Sequence, residues 1–178
     1  MATDEQATVA SRVALSVVTP AYNEAPNLGA LVAEVRAALD PTGIAWELVI
    51  VDDGSTDETP ALLARLAAAD PRVRPLRLDE RGGQTAALAA GFRAAGGALI
   101  ATLDADLQCP PSELPALLVT LGDADLACGI RAERHDPVSR RLASGLSNLA
   151  RRLLVAPGVD APAEPVRAGV GASVRGPV

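Results

Sequence analysis

The sequence contains no lysine, and all sixteen of its basic residues are arginines. Chemistry that needs a lysine amine, such as a Schiff base or the phosphate-gripping lysine of a P-loop, is thereby excluded. Aromatic residues are almost missing: Tyr22, Trp46 and Phe92 stand alone, so the core must be built from Ala, Leu and Val. Two cysteines, Cys109 and Cys128, show neither metal-ligand nor redox spacing and suit a reducing compartment. The single histidine, His135, reads as an exposed loop residue rather than a catalyst. No stretch approaches the roughly 18 consecutive apolar residues of a membrane span. The start, with Asp4 and Glu5, lacks a signal peptide's basic opening.

What is present is globular in kind. The chain has 178 residues, 49% hydrophobic and 21% charged, which suits one domain with a single sizeable core. A net charge of −6 argues against general nucleic-acid binding. The charge is uneven, however. Arg131, Arg134, Arg140, Arg141, Arg151 and Arg152 crowd one stretch that holds only Glu133 and Asp136 as counter-charges. Such a block is either a solvated face or an anion site.

Apolar runs and amphipathic stretches alternate. "VALSVVT" predicts a buried strand and "APNLGALVAEVRAALD" a helix. Strand "WELVIVD", helix "DETPALLARLAAAD", strand "RVRPLRL", helix "GQTAALAAGFRAAG" and strand "ALIATLD" follow. Helix "PSELPALLVTLG", strand "DLACGI" and helix "SRRLASGLSNLARRLL" complete the series. Near-continuous apolar strands between helices predict a doubly wound α/β fold, its mostly parallel sheet covered on both faces. The expected organisation is a frayed tail over residues 1–12, an α/β domain over 13–156 and an irregular tail over 157–178. That last stretch is Pro, Gly, Ala and Val without periodicity.

Ligands of such sheets collect at the carboxyl ends of the strands, and there the acids gather. Glu24 follows the first strand, Asp52 and Asp53 end the second, and Asp104 and Asp106 end the fourth. One such acid is ordinarily a helix cap, and Ser55, Thr56 and Asp57 look like caps. Three acidic strand ends on one edge call for a cation or a donor-rich ligand. If extended geometry persists, Asp104, Asp106 and Gln108 point the same way. They would offer two carboxylates and an amide oxygen to Mg²⁺ or Mn²⁺, with water and phosphate oxygens completing the shell. A D-x-D alone is weak, so its context decides. "TPAYNEAPNLG" lacks the dinucleotide-binding glycines, "RGGQT" lacks a P-loop lysine, and a receiver domain would also use a lysine. Haloacid-dehalogenase-type phosphatases carry D-x-D on their first strand, not their fourth.

Four stretches fit one family in order. "VVTPAYNEAPNL", "VIVDDGSTDET", "RGGQTAALAAGFRAAGGALIATLDADLQCPP" and "DLACGIRAERHDPVSRRLASGLSNLARRLL" resemble family 2 inverting glycosyltransferases of the Rossmann-like GT-A fold. The likeness is strongest to the polyprenyl-phosphate (dolichol-phosphate-type) sugar transferases and runs from about Val13 to Leu154. It implies a cytoplasmic enzyme of cell-envelope synthesis, peripheral on the inner face of the membrane. Its partners would be a UDP- or GDP-sugar and a polyprenyl phosphate, without nucleic acid; a homo-oligomer is compatible with it. The resemblance assigns Pro20, Tyr22 and Glu24 to the nucleotide pocket, with Val51 and Asp53 at the base. Gln84 would approach the nucleotide or sugar. Asp104, Ala105, Asp106 and Gln108 would bind the donor and its metal, and Arg131 the diphosphate, with Asp104, Asp106 and Arg131 serving catalysis. Bland alternatives are a packing role for Tyr22 and a surface pair with Glu133 for Arg131.

On a helix over 140–153, Arg140, Ser144, Asn148 and Arg151 share one side and Leu142, Leu146, Leu149 and Leu153 the other. The leucines can pack on the sheet or lie in a bilayer surface while the arginines meet lipid phosphates. The resemblance favours the second arrangement and assigns Arg140 and Ser144 to the acceptor's phosphate. From Gly158 onward the family pattern is lost, so a truncated or frame-shifted C-terminal part is expected. Two alternatives accompany this reading: a catalytically silent GT-A-like nucleotide-binding domain, and a family 2 transferase with a saccharide hydroxyl acceptor.

Overall fold

Leu15–Ala21 (β1) and Trp46–Asp52 (β2) are almost wholly buried, as parallel strands covered on both faces must be. The computed structural model describes residues 13–122, 124 and 126–129, and the backbone of 173–175. Chain order continues with helix α1 (Ala25–Leu39), a 3₁₀ turn (Asp40–Thr42), β2, α2 (Thr59–Ala69), β3 (Val73–Arg77) and α3 (Gln84–Ala94). Then come β4 (Leu99–Thr102), a second 3₁₀ turn (Pro111–Glu113), α4 (Leu114–Leu121), β5 (Leu126–Ala127) and β6 (Ser173–Arg175). The sheet order is β3-β2-β1-β4-β6-β5.

β1 pairs in parallel with both β2 and β4, and β2 in parallel with β3. β6 is antiparallel to β4 and to β5. The expected mostly parallel, doubly wound sheet is therefore present, with an antiparallel margin. Pro75 sits in β3, which among the described residues pairs only with β2; an edge strand tolerates the missing N–H.

The helices divide between the faces. Leu28, Leu31, Val35 and Leu39 of α1 recur at helical spacing and join Leu63 of α2 and Leu114, Leu117 and Leu121 of α4. This larger core lies on the face of β1 that carries Leu15, Val17 and Ala21. On the other face α3 packs Ala87 against Val18, Val49, Val51 and Ile100. The close approach there requires Gly91, where an added Cβ would lie 2.3 Å from Val18 Cγ1 and 3.1 Å from Val51 Cγ2. Small residues thus replace the missing aromatics by letting α3 sink onto the sheet.

At the amino ends of the strands, Glu47 is buried at 4% exposure. Its Oε1 accepts the Ser16 hydroxyl and the Gly96 N–H, both at 2.6 Å, and its Oε2 accepts from Arg74. Burial pushes this carboxyl upward, but the hydrogen bonds outweigh burial and hold it below the ordinary glutamate range. This cluster fastens the start of β4 to β1 and β2, at the far end from the acids.

Three differences from the sequence-based expectation bear on function. The fourth strand stops at Thr102, before either aspartate. The fifth is only two residues long. The stretch expected to be wholly irregular, 157–178, contributes the strand β6. The predicted helix over 140–153, His135 and the tail 1–12 lie outside the described residues.

Candidate functional site

Glu24 directly precedes α1, and the loop that carries it is stitched to the loop after β2. The Asn23 N–H donates to Ser55 Oγ and the Glu24 N–H to Thr59 Oγ1, at 2.9 and 3.0 Å. Asn23 Oδ1 in turn accepts the Thr56 N–H at 2.9 Å. Asn23 adopts a left-handed backbone, with φ 56°, which a short amide side chain tolerates. Ser55 and Thr56 therefore latch two loops together instead of capping α2, while Asp57 does accept the N–H of Thr59 at the helix start.

The two acids ending β2 have separate tasks. Asp52, at 1% exposure, accepts the Ser55 N–H at 2.9 Å and Arg77 Nη1 at 3.1 Å, bracing its own loop. Asp53 faces the opposite way, towards the "RGG" turn, and accepts the Gly82 N–H at 2.7 Å and the Gly83 N–H at 2.9 Å. Gly54 lets this turn lie close: with φ 71°, an added Cβ would stand 2.9 Å from Arg81 N. The turn launches α3, whose N-terminus begins at Gln84 and brings unpaired N–H groups and the positive end of its dipole.

Past β4 the chain does not stay extended. Leu107 has φ 59°, and the Gln108 N–H folds back onto Asp106 Oδ1 at 3.0 Å, the local hydrogen bond that aspartate favours in turns. The i, i+2, i+4 alignment expected of Asp104, Asp106 and Gln108 is thus broken after the second acid. Asp104 and Asp106 remain exposed side chains of one cavity, and the Gln84 amide donates to Asp104 Oδ1 at 3.3 Å.

These loops enclose a cleft of about 290 Å³ at the carboxyl ends of β1, β2 and β4. Pro20, Tyr22, Glu24, Asp53, Gln84, Asp104, Ala105 and Asp106, eight of the residues singled out from sequence, line it. Val51 does not: fully buried, it packs into the core beneath α3. Gln108 is absent from the lining as well. Arg131, Arg140 and Ser144 lie outside the described residues. Three lining residues escaped sequence reasoning, Ala21, Gly83 and Arg81, the last with its guanidinium carbon 3.8 Å from the Tyr22 ring centroid. A lone arginine gives no sequence signal of such stacking, which is purely tertiary.

Four carboxylates therefore share one cleft, which favours cationic or donor-rich groups. Among the described residues, no three His, Cys, Asp or Glu side chains are gathered so that they alone could hold a metal ion. Asp104 and Asp106, two exposed carboxylates lining the same cleft, nevertheless fit a hard cation that takes the rest of its shell from ligand and water.

The family model for glycosyl transferase family 2 matches residues 16–158. An undecaprenyl-phosphate 4-deoxy-4-formamido-L-arabinose transferase of Salmonella paratyphi A is 40% identical over 137 residues, covering 76% of this chain and 42% of that protein. The chain thus spans about two fifths of the length of the curated relatives it matches. Among solved structures, a Pyrobaculum calidifontis mannosyltransferase in complex with GDP-Man and Mn²⁺ is similar with a TM-score of 0.60 at 24% identity. That match covers 93% of this chain and 45% of the other. Glucosyl-3-phosphoglycerate synthase of Mycobacterium tuberculosis gives 0.62 at 24% identity, over 91% and 56% of the two chains. At such identity these two show the fold, which is GT-A.

Proposed function

The chain belongs to glycosyl transferase family 2, and from that premise we propose that it moves a sugar from a nucleoside-diphosphate donor to a polyprenyl phosphate, inverting the anomeric carbon. The observation that carries the reading is the shared cleft: Tyr22, Glu24, Asp53, Asp104 and Asp106, from three strand ends, meet Gln84 of α3 in one cavity. The name of the Salmonella relative supports the polyprenyl phosphate acceptor, and the mannosyltransferase complex supports a sugar nucleotide with a divalent cation.

Asp104 and Asp106 would hold Mg²⁺ or Mn²⁺, with Glu24 and the amide of Gln84 close by. When bound, such an ion neutralises charge on the departing diphosphate. The protein's own part is to place donor and acceptor. Tyr22 and Pro20 wall the nucleotide end. Asp53 accepts from a base N–H with the lone pairs left over from its two backbone hydrogen bonds, and so fits both uracil and guanine. Val51 supports this end from the core rather than touching the base. The α3 N-terminus turns its positive end towards the diphosphate.

A phosphate oxygen of the acceptor attacks the anomeric carbon from the face opposite the leaving group. A new C–O bond forms as the bond to the nucleoside diphosphate breaks. A phosphate monoester is largely ionised near neutral pH, its second pKa being about 6, so no strong general base is required. Arg131, Arg140 and Ser144 complete the proposal, Arg131 at the diphosphate and the other two at the acceptor's phosphate. Among the described residues no helix is long and apolar enough to cross a membrane, and the arginine-rich stretch would supply peripheral contact with anionic lipid.

Calorimetric titration of UDP- and GDP-sugars with and without Mn²⁺, followed by a transfer assay to polyprenyl phosphate in detergent, tests this. Metal-dependent binding with turnover supports the enzyme. Binding without turnover assigns the chain to nucleotide binding alone, and absence of any binding overturns the reading.

A further inference from the structure

We propose that Arg81 is the cleft's built-in cation for the diphosphate of its ligand, giving part of the affinity without any metal; the assignment rests on reading the cleft as a nucleoside diphosphate site. Glu24, Asp53, Asp104 and Asp106 line the cavity, and Arg81 is the one basic side chain among its described lining residues. A doubly charged phosphate group entering four carboxylates is repelled unless positive charge is already in place.

Arg81 is held ready for this. Its guanidinium carbon sits 3.8 Å from the Tyr22 ring centroid, a contact that consumes none of its N–H donors. Among the described residues it forms no salt bridge, unlike Arg36, Arg72, Arg74 and Arg77. Its backbone is fixed from two sides. Asp53 clamps the next two residues, Gly82 and Gly83, through their N–H groups at 2.7 and 2.9 Å. Gly54 leaves room for Arg81 N, which a Cβ there would approach to 2.9 Å. An exposed, always-charged fork on a braced turn loses little freedom when it engages phosphate oxygens. Asp53 is consequently also a positioning residue for that fork.

The full chain is titrated with UDP and GDP, and with uridine and guanosine as phosphate-free probes, in Mn²⁺ and in EDTA. Arg81→Ala and Arg81→Lys are compared with the unaltered protein, and thermal melts check that all remain folded. In EDTA, Arg81→Ala is expected to weaken the diphosphates by about 10-fold or more, as loss of a charge-assisted hydrogen bond does, with nucleoside binding changed far less. Arg81→Lys, which keeps the charge, recovers part of the loss. Equal weakening of nucleoside and diphosphate overturns the proposal and assigns Arg81 to stacking alone. Unchanged diphosphate binding in Arg81→Ala, or unaltered protein that binds only with Mn²⁺, overturns it while leaving the cleft reading intact. No nucleotide binding under either condition overturns both.

Discussion

The Asn23 side-chain oxygen accepts the Thr56 N–H across 2.9 Å and so ties the loop after β1 to the loop after β2. Asn23 stands between Tyr22 and Glu24, two walls of the cleft, so this one bond bears on ligand geometry. Asn23→Ala loses the bond and places an alanine at φ 56°, which should cost about 1–3 kcal/mol. Asn23→Gly loses the bond but keeps the backbone relaxed, so its thermal melt should fall less. Both should weaken nucleotide binding in calorimetry, because each loosens the wall, leaving only the backbone bonds to Ser55 and Thr59.

Asp106 is exposed and its side chain accepts only a local N–H among the described residues. Asp106→Ala loses that one exposed turn bond and should therefore cost only about 0.5–1.5 kcal/mol of stability, leaving the protein folded. Its Mn²⁺-dependent gain in sugar-nucleotide affinity should fall by at least about 10-fold, since even outer-shell partners of metals contribute 10–100-fold. Retention of that gain in calorimetry would remove Asp106 from the cation site.

Gly91 is where α3 touches β1 and β2. A Cβ placed 2.3 Å from Val18 Cγ1 and 3.1 Å from Val51 Cγ2 forces helix or sheet to move. Gly91→Ala gains helix propensity of about 1 kcal/mol but overpacks, and overpacking costs about 1–3 kcal/mol. Denaturant unfolding should show a net loss, and Gly91→Val a larger one.

Glu47 sets an acid limb of stability. Its carboxyl lies below the ordinary glutamate value of 4.5 in the folded protein, burial opposing and the bonds from Ser16, Gly96 and Arg74 prevailing. A depressed folded value means the unfolded chain takes up the proton first. The stabilisation is therefore complete above the unfolded value, near 4.5, and is lost as pH falls through the lower folded value. Thermal melts of Glu47→Gln should be lower than those of the unaltered protein at pH 7, with the gap narrowing below about pH 4.5.

The parallel sheet and the edge where the acids gather were legible because buried parallel strands write themselves as unbroken apolar runs. "VALSVVT" and "WELVIVD" leave little else to be. Asp104 and Asp106 were legible as a pair, but their relation to Gln108 was not. Periodicity assumes extended backbone, and the positive φ at Leu107 depends on the turn that Asp106 itself caps. Val51 was expected at the base because the resemblance sets it there beside Asp53, yet its side chain is fully buried with Val49 in the core beneath α3, a packing that a family motif does not reveal. Arg81 was invisible, since its place over Tyr22 joins two loops far apart in sequence. β6 was invisible for another reason: three residues within a Pro- and Gly-rich run offer no period to detect.

That short strand has a consequence for how the molecule is made. Among the described residues β5 has no neighbour in the sheet except β6, and β6 joins it to β4 in antiparallel register. During translation the first four strands can assemble as they emerge, each pairing with segments already outside the ribosome. The Leu126–Ala127 edge must wait until Ser173–Arg175 has cleared the exit tunnel, so a nascent chain halted before that point carries an unzipped flank.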